Sequence, residues 1–132
     1  MPEHENLRVV RLVATRWNAG DLEGVLALYA DDISIHAGPD WPEQRVWHGL
    51  EEARRSLEEW RDVWQSSQIE VESLESHGDG VVGTGAWNTR GRVSGVHGRM
   101  PFHVLLIVRE GRIAYLEWFA DRDKAVSAAR AA

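Results

Sequence analysis

The spacing of apolar residues changes period along the chain, and each change marks an element. Leu7, Val10, Ala14 and Trp17 recur at spacings of three and four, with Val9 and Val13 widening the stripe. That period predicts an amphipathic helix over 5–18. Gly20 can take the left-handed conformation that ends it. Asp21 then caps a second helix carrying Leu22, Val25, Leu26 and Tyr29. Ile33-Ser-Ile-His-Ala37 alternates with period two, as a half-buried strand does. Gly38-Pro39 breaks it, and 38–48 reads as a loop holding Trp41, Trp47 and His48.

A helical period returns from Glu51 to about Ser66. Ala53, Leu57, Trp60 and Trp64 share one face there, with Arg and Glu opposite. Four strands are then predicted, over 68–76, 81–90, 96–108 and 112–119. They are separated by His77-Gly-Asp-Gly80, by Gly91 to Gly95, and by Arg109-Glu-Gly-Arg112. Gly-rich turns of this length join hairpins, so the sheet should be antiparallel. Asp121 caps a final Ala-rich helix. Helices ahead of a long curled sheet make an α+β domain of order αα-β-α-ββββ with a short C-terminal helix. The sheet should wrap the three N-terminal helices as a cone whose interior is a natural ligand site.

Composition narrows the function classes. The 132 residues amount to a single domain, spanning 1–132, that can bury roughly two-thirds of its unfolded surface. A net charge of −6 argues against a nucleic-acid partner, which calls for a basic surface. No apolar run approaches the roughly 20 residues of a membrane span, so no membrane partner is expected. There is no cysteine, hence no thiolate chemistry. Met1-Pro-Glu-His-Glu-Asn6 lacks the basic and apolar segments of a secretion signal, and a cytoplasmic location is expected. Seven Trp stand against two Phe and two Tyr. Trp contributes large apolar area and one N–H that seeks a partner, which suits a pocket wall, an interface or a core.

Several stretches resemble the nuclear transport factor 2-like superfamily, and within it the SnoaL-like polyketide cyclase and ketosteroid isomerase-like group. They are Trp17-Asn-Ala-Gly-Asp-Leu22, Leu28-Tyr-Ala-Asp-Asp32, the Trp-Pro loop followed by Trp47-His-Gly49, and Phe119-Ala-Asp-Arg-Asp-Lys-Ala125. The resemblance covers nearly the whole chain. It implies the cone-shaped fold and a homodimer through the outer sheet face, but no single reaction, because these motifs are caps, turns and core contacts. Placed on this chain, the ketosteroid isomerase roles fall on Val13, Val104 and Ala37. The limonene-epoxide hydrolase set falls on Trp118, Ala86 and Asn88. On that placement neither assembly of ionisable groups is present, so neither known route is expected.

Strand parity suggests what the cone contains. If Leu116, Trp118 and Ala120 point inward, Phe102, Val104 and Leu106 should too, together with Ala86, Asn88 and Arg90. Trp17, Trp60 and Trp64 close the walls. The expected ligand-binding residues are therefore Trp17, Trp60, Trp64, Asn88, Arg90, Phe102 and Trp118, with Asn88 and Arg90 as polar handles. Such walls suit a flat hydrophobic molecule bearing one or two oxygens, with no cofactor. His36 and Asp121 are the candidate catalytic residues. Histidine carries protons at neutral pH, but strict parity turns His36 outward, so it reaches the pocket only through a register slip. Polyketide cyclases of this type use an Asp near the end of the last strand, and the resemblance brings Asp121 into consideration for that role without fixing it there. Ahead of Arg-Asp-Lys-Ala it reads first as a helix N-cap. His48 reads as a turn residue, His103 as an outer-face residue and His97 as loop surface. The histidines show no metal-ligand spacing, and no metal is expected. Gly78-Asp-Gly-Val-Val-Gly83 fits a dinucleotide fingerprint in letters only, because it leads from a turn into a strand rather than into a helix. The first reading is a cofactor-free cyclase, isomerase or hydrolase working by acid–base chemistry, in which His36 or Asp121 moves the proton and Asn88 and Arg90 hold an oxyanion. The second is a non-catalytic carrier or sensor. The third, compatible with either, is an association module that dimerises through its outer sheet face.

Overall fold

Ten elements follow one another in the computed structural model, which describes residues 2–38 and 45–131. They are α1 (Pro2–Asn18), α2 (Leu22–Leu26), β1 (Tyr29–His36), β2 (Val46–His48), α3 (Gly49–Val63), β3 (Trp64–His77), β4 (Gly80–Gly91), β5 (His97–Arg109), β6 (Arg112–Phe119) and α4 (Arg122–Ala131). The fold is α+β, as expected, with helices first and a curled, unclosed six-stranded sheet. The strand order is β2-β1-β6-β5-β4-β3.

Four features depart from the sequence reading, the first being β2, whose Val46–His48 pair with β1 inside a stretch read as loop. The sheet is mixed, because β1 runs parallel to β6 with Ile35 opposite Leu116. Its other pairings are antiparallel. The parallel pairing is possible because the whole of α3 and the β3–β5 meander intervene, a connection long enough to return in the same direction. Tyr29 opens β1 instead of closing α2. Finally, α3 stops at Val63, short of the expected Ser66. Trp64 is already extended at φ −112° and ψ 150°. The ladder to β4 pairs Ser66 with Arg90 and Ser67 with Thr89, and these pairings override the helical period.

Local chemistry explains the joints. The Asp21 carboxylate accepts from the Gly24 N–H at 2.8 Å, capping α2. The Asp121 carboxylate does the same for α4, accepting from Lys124 N–H at 2.8 Å. The β5–β6 hairpin turns on Glu110 and Gly111, at φ 54° and 76°. Both central residues of such a two-residue turn need positive φ, and Glu110 is the only non-glycine described residue that accepts it. The Asn18 side chain clips α1 to β3, accepting from Ile69 N–H at 2.7 Å and donating to Ile69 C=O at 2.9 Å.

The two sheet faces carry separate cores. On the concave side α1, α2 and α3 bury Val10, Trp17, Val25, Tyr29 and Ile33 against Val104, Leu106, Ile113 and Leu116. On the convex side α4 packs Ala125, Val126 and Ala129 on Val82 and Leu105.

Candidate functional site

Which face each strand residue occupies follows from the pairing register. Gly85 lies opposite Phe102, Gly83 opposite Val104 and Trp87 opposite Met100. Directly paired residues share a face, so the inward set on β4 is Val81, Gly83, Gly85 and Trp87. Phe102, Val104, Leu106, Leu116 and Trp118 face inward as expected. Ala86, Asn88 and Arg90 do not; they stand on the convex face, and Asn88 and Arg90 are exposed. The β4–β5 pairs sum to an odd number, and a one-residue difference in register moves a whole set of side chains to the other face. The sequence contains a signal for this. Thr84, Asn88 and Arg90 alternate with Trp87, and a polar set belongs on the solvated side.

The inward glycines give the site its depth. Gly85 passes so close to β3 that an added Cβ would stand 2.0 Å from the Glu70 carbonyl oxygen. Lacking side chains, Gly83 and Gly85 leave Trp87 as the bulky inward residue of β4. Trp87 is the hub of an aromatic cluster. Its ring centroid is 5.6 Å from Trp17, 5.2 Å from Trp60, 6.2 Å from Phe102 and 6.2 Å from Trp118. Phe102 meets Trp118 edge-on at 5.2 Å. Trp17–Trp87 and Phe102–Trp118 are the edge-to-face arrangements that aromatic quadrupoles favour, and the other pairs are tilted.

Two hollows share this cluster as a wall. The inner one is small, about 80 Å³, and lies among Val10, Ala14, Trp17, Ile69, Gly83 and Trp87. The outer one has a volume of about 630 Å³ and is walled by Tyr29, Ile35, Trp47, Trp60, Trp87, Met100, Phe102, Trp118 and Phe119. That volume lies within the range of ligand pockets, roughly 300–1,000 Å³. Apart from the indoles, the polar side chains among its described lining residues are Ser56 and Glu59 from α3, and Tyr29. Among the described residues that line it, only Glu59 carries a charge. Burial holds the Tyr29 hydroxyl far above its ordinary pKa, so it remains a neutral donor. The indole N–H groups of Trp47, Trp60 and Trp64 are buried with no hydrogen-bond partner among the described residues.

The sequence-derived candidates therefore separate into two groups. Trp60, Phe102 and Trp118 meet at the outer cavity. Trp17 lines only the inner hollow, and its indole donates to the Ser67 carbonyl at 3.0 Å. Trp64 lines neither hollow; it packs edge-on against Trp60 at 5.7 Å. Asn88 and Arg90 lie on the opposite face. His36 lies there as well, since its neighbour Ile35 is the inward residue. The His36 Nε2 is 2.9 Å from Ser34 Oγ, and its ring stacks on Tyr115 at 4.7 Å. Burial and the Glu117 carboxylate hold the Tyr115 hydroxyl above its usual pKa. Asp121 is exposed and occupied as the α4 cap. His48 precedes α3 at its N-cap position, and His103 bonds Thr84 on the convex face at 3.1 Å. Trp41 lies outside the described residues. Strand parity in the sequence turns Trp87 outward, Glu59 is one charge among many on α3, and Trp47 belongs to a stretch that reads as a loop. No group of residues able to hold a metal occurs among the described residues, and no described helix is long and apolar enough to cross a membrane.

The SnoaL-like domain family matches residues 9–116 of the chain. The chain belongs to that family. Solved structures agree on the fold. An NTF2-like protein of unknown function from Burkholderia pseudomallei superposes with TM-score 0.77 at 20% identity, over 93% of this chain and 95% of that one. A SnoaL-like polyketide cyclase, so named provisionally, from Jannaschia sp. gives 0.78 at 17% identity, over 98% and 94%. A protein similarly named a polyketide cyclase, from Xanthomonas campestris, gives 0.77 at 15% identity, over 98% and 99%. No curated protein matches the sequence significantly. At such identities the likeness speaks for the NTF2-like architecture of this SnoaL-like domain and leaves its reaction open.

Proposed function

We propose that this SnoaL-like domain binds a flat hydrophobic small molecule in the outer cavity, as a carrier or sensor. The observation that supports this reading is the aromatic wall around Trp87 enclosing about 630 Å³. Stacking on Trp60, Trp87 and Trp118 provides the affinity. A buried indole N–H without a partner costs about 1–3 kcal/mol. Ligand oxygens that draw the Trp47 and Trp60 rings toward them would recover part of that cost. Binding is favoured over turnover because His36 and Asp121 both lie away from this wall. A second reading, acid–base turnover of the bound molecule, is favoured by one observation: Glu59 and Tyr29, whose hydroxyl burial keeps neutral, are both lining residues of the same cavity. We further place homodimerisation on the convex sheet face; a monomer at micromolar concentration would count against that.

Titration with planar aromatic ketones and phenols, followed by Trp fluorescence and by recovery of the ligand, tests both readings. Saturable quenching with the ligand recovered unchanged supports a carrier or sensor. Conversion of the ligand, lost in Glu59→Gln and retained in His36→Ala and Asp121→Asn, supports turnover at this cavity. Absence of saturable quenching across the panel contradicts both.

A further inference from the structure

The charge pattern around the outer cavity points to the class of ligand, provided the cavity is the ligand site proposed above. Its walls mix aliphatic side chains with the rings of Tyr29, Trp47, Trp60, Trp87, Phe102 and Trp118, and among the described lining residues there is no Lys, Arg or His. The one charged group is Glu59, whose side chain is 56% exposed at the rim. An anionic ligand would meet no free cation there. A neutral ligand would gain nothing from the Glu59 carboxylate, which would stay with Arg45. A cation would meet both a carboxylate and aromatic faces whose quadrupoles attract positive charge.

The molecule already shows what this rim does to a cation. The Arg45 guanidinium lies over the Trp47 ring, with its carbon 4.5 Å from the ring centroid. Its Nη1 is 3.5 Å from Glu59 Oε2. Trp47 and Glu59 both line the cavity, whereas Arg45 stands outside the lining, 42% exposed. Arg45 is therefore a tethered competitor for the carboxylate, held weakly because the pair is open to water. A ligand cation at the rim would meet the same carboxylate and ring, and the apolar body to which it is attached would cover them from water, which strengthens cation–π attraction.

We propose that the cavity selects a hydrophobic molecule carrying a tertiary or quaternary ammonium group, bound between Glu59 and the surrounding aromatic walls in competition with Arg45. The ammonium takes the rim end and the flat apolar part extends toward Trp87 and Trp118.

An isosteric pair isolates the charge. The full chain is titrated by calorimetry with para-hydroxybenzyl-trimethylammonium and with para-neopentylphenol, its uncharged carbon analogue. The ammonium compound should bind on the order of tenfold tighter. That preference should fall severalfold in Glu59→Gln and rise in Arg45→Gln, two rim substitutions at partly exposed side chains. Equal or tighter binding of the neutral compound overturns the cation assignment and leaves the cavity reading standing. An undiminished preference in Glu59→Gln also overturns it. Binding of neither compound at millimolar concentration overturns both this inference and the cavity reading.

Discussion

The concave and convex faces of one sheet carry opposite chemistry, although their residues alternate along the same strands. On β4, the inward Gly83, Gly85 and Trp87 leave space and fill it with one large ring. The outward Thr84, Asn88 and Arg90 face hydroxyls, carboxylates and water. Arg99 donates to Glu70 at 2.8 Å and also to Glu72, and Arg122 joins α4 to Glu75. The concave face has aromatic contacts and a single rim carboxylate in their place. What separates a ligand wall from a solvated surface is thus a register of one residue. The two faces should answer very differently to substitution.

The largest effect is expected at the aromatic hub. Trp87→Ala should destabilise the domain by about 3–5 kcal/mol, read as a lower urea midpoint, and should also abolish ligand-dependent quenching. A smaller effect is expected at the convex edge, where Asp121→Ala removes the α4 cap. It should cost about 1 kcal/mol, with ligand affinity unchanged; a loss of binding at full stability would return Asp121 to the functional site.

The convex face should also show the pH dependence. The Arg122 guanidinium holds the Glu75 carboxyl below its ordinary value of 4.5. Its folded pKa is depressed, so its contribution is present above pH 4.5 and lost as pH falls through the lower folded value. Acid should therefore loosen α4 before the aromatic core, and Glu75→Gln should remove that step from amide exchange measured across pH. The smallest effects are expected for Asn88→Ala and Arg90→Ala, each within about 0.5 kcal/mol and silent in ligand titrations. A clear loss of affinity in either would reverse the assignment of faces.

Much of this was legible in the sequence because it is local. The helical period of Leu7 to Trp17, the caps at Asp21 and Asp121, and the hairpin turn at Glu110-Gly111 each depend on a few neighbouring residues. Fold class follows from their order. The inward set of β5 and β6 was legible too, since Phe102–Leu106 and Leu116–Trp118 alternate without interruption. The face of β4 was not, because it depends on how Arg90 pairs with His97 across a six-residue connection. Trp47 escaped because β2 has three residues and acquires its alternation only by pairing with β1. The end of α3 is a tertiary matter: Trp64 continues the helical stripe in sequence, but strand pairing claims it. Glu59 carries no sequence signal of its own among the many charges of α3. It gains its interest from Trp47 and Arg45, which the β1–β2 pairing brings beside it.

The central claim is that ligands meet the concave wall around Trp87 and leave the face of Asn88 and Arg90 untouched. The most direct measurement is a titration of the full chain with a naphthol probe, followed by assigned side-chain N–H resonances. The account predicts saturable shifts at the indoles of Trp47, Trp60, Trp87 and Trp118, with the Asn88 amide and the Arg90 guanidinium unmoved. Shifts that centre on Asn88 and Arg90 while the four indoles stay in place would contradict it.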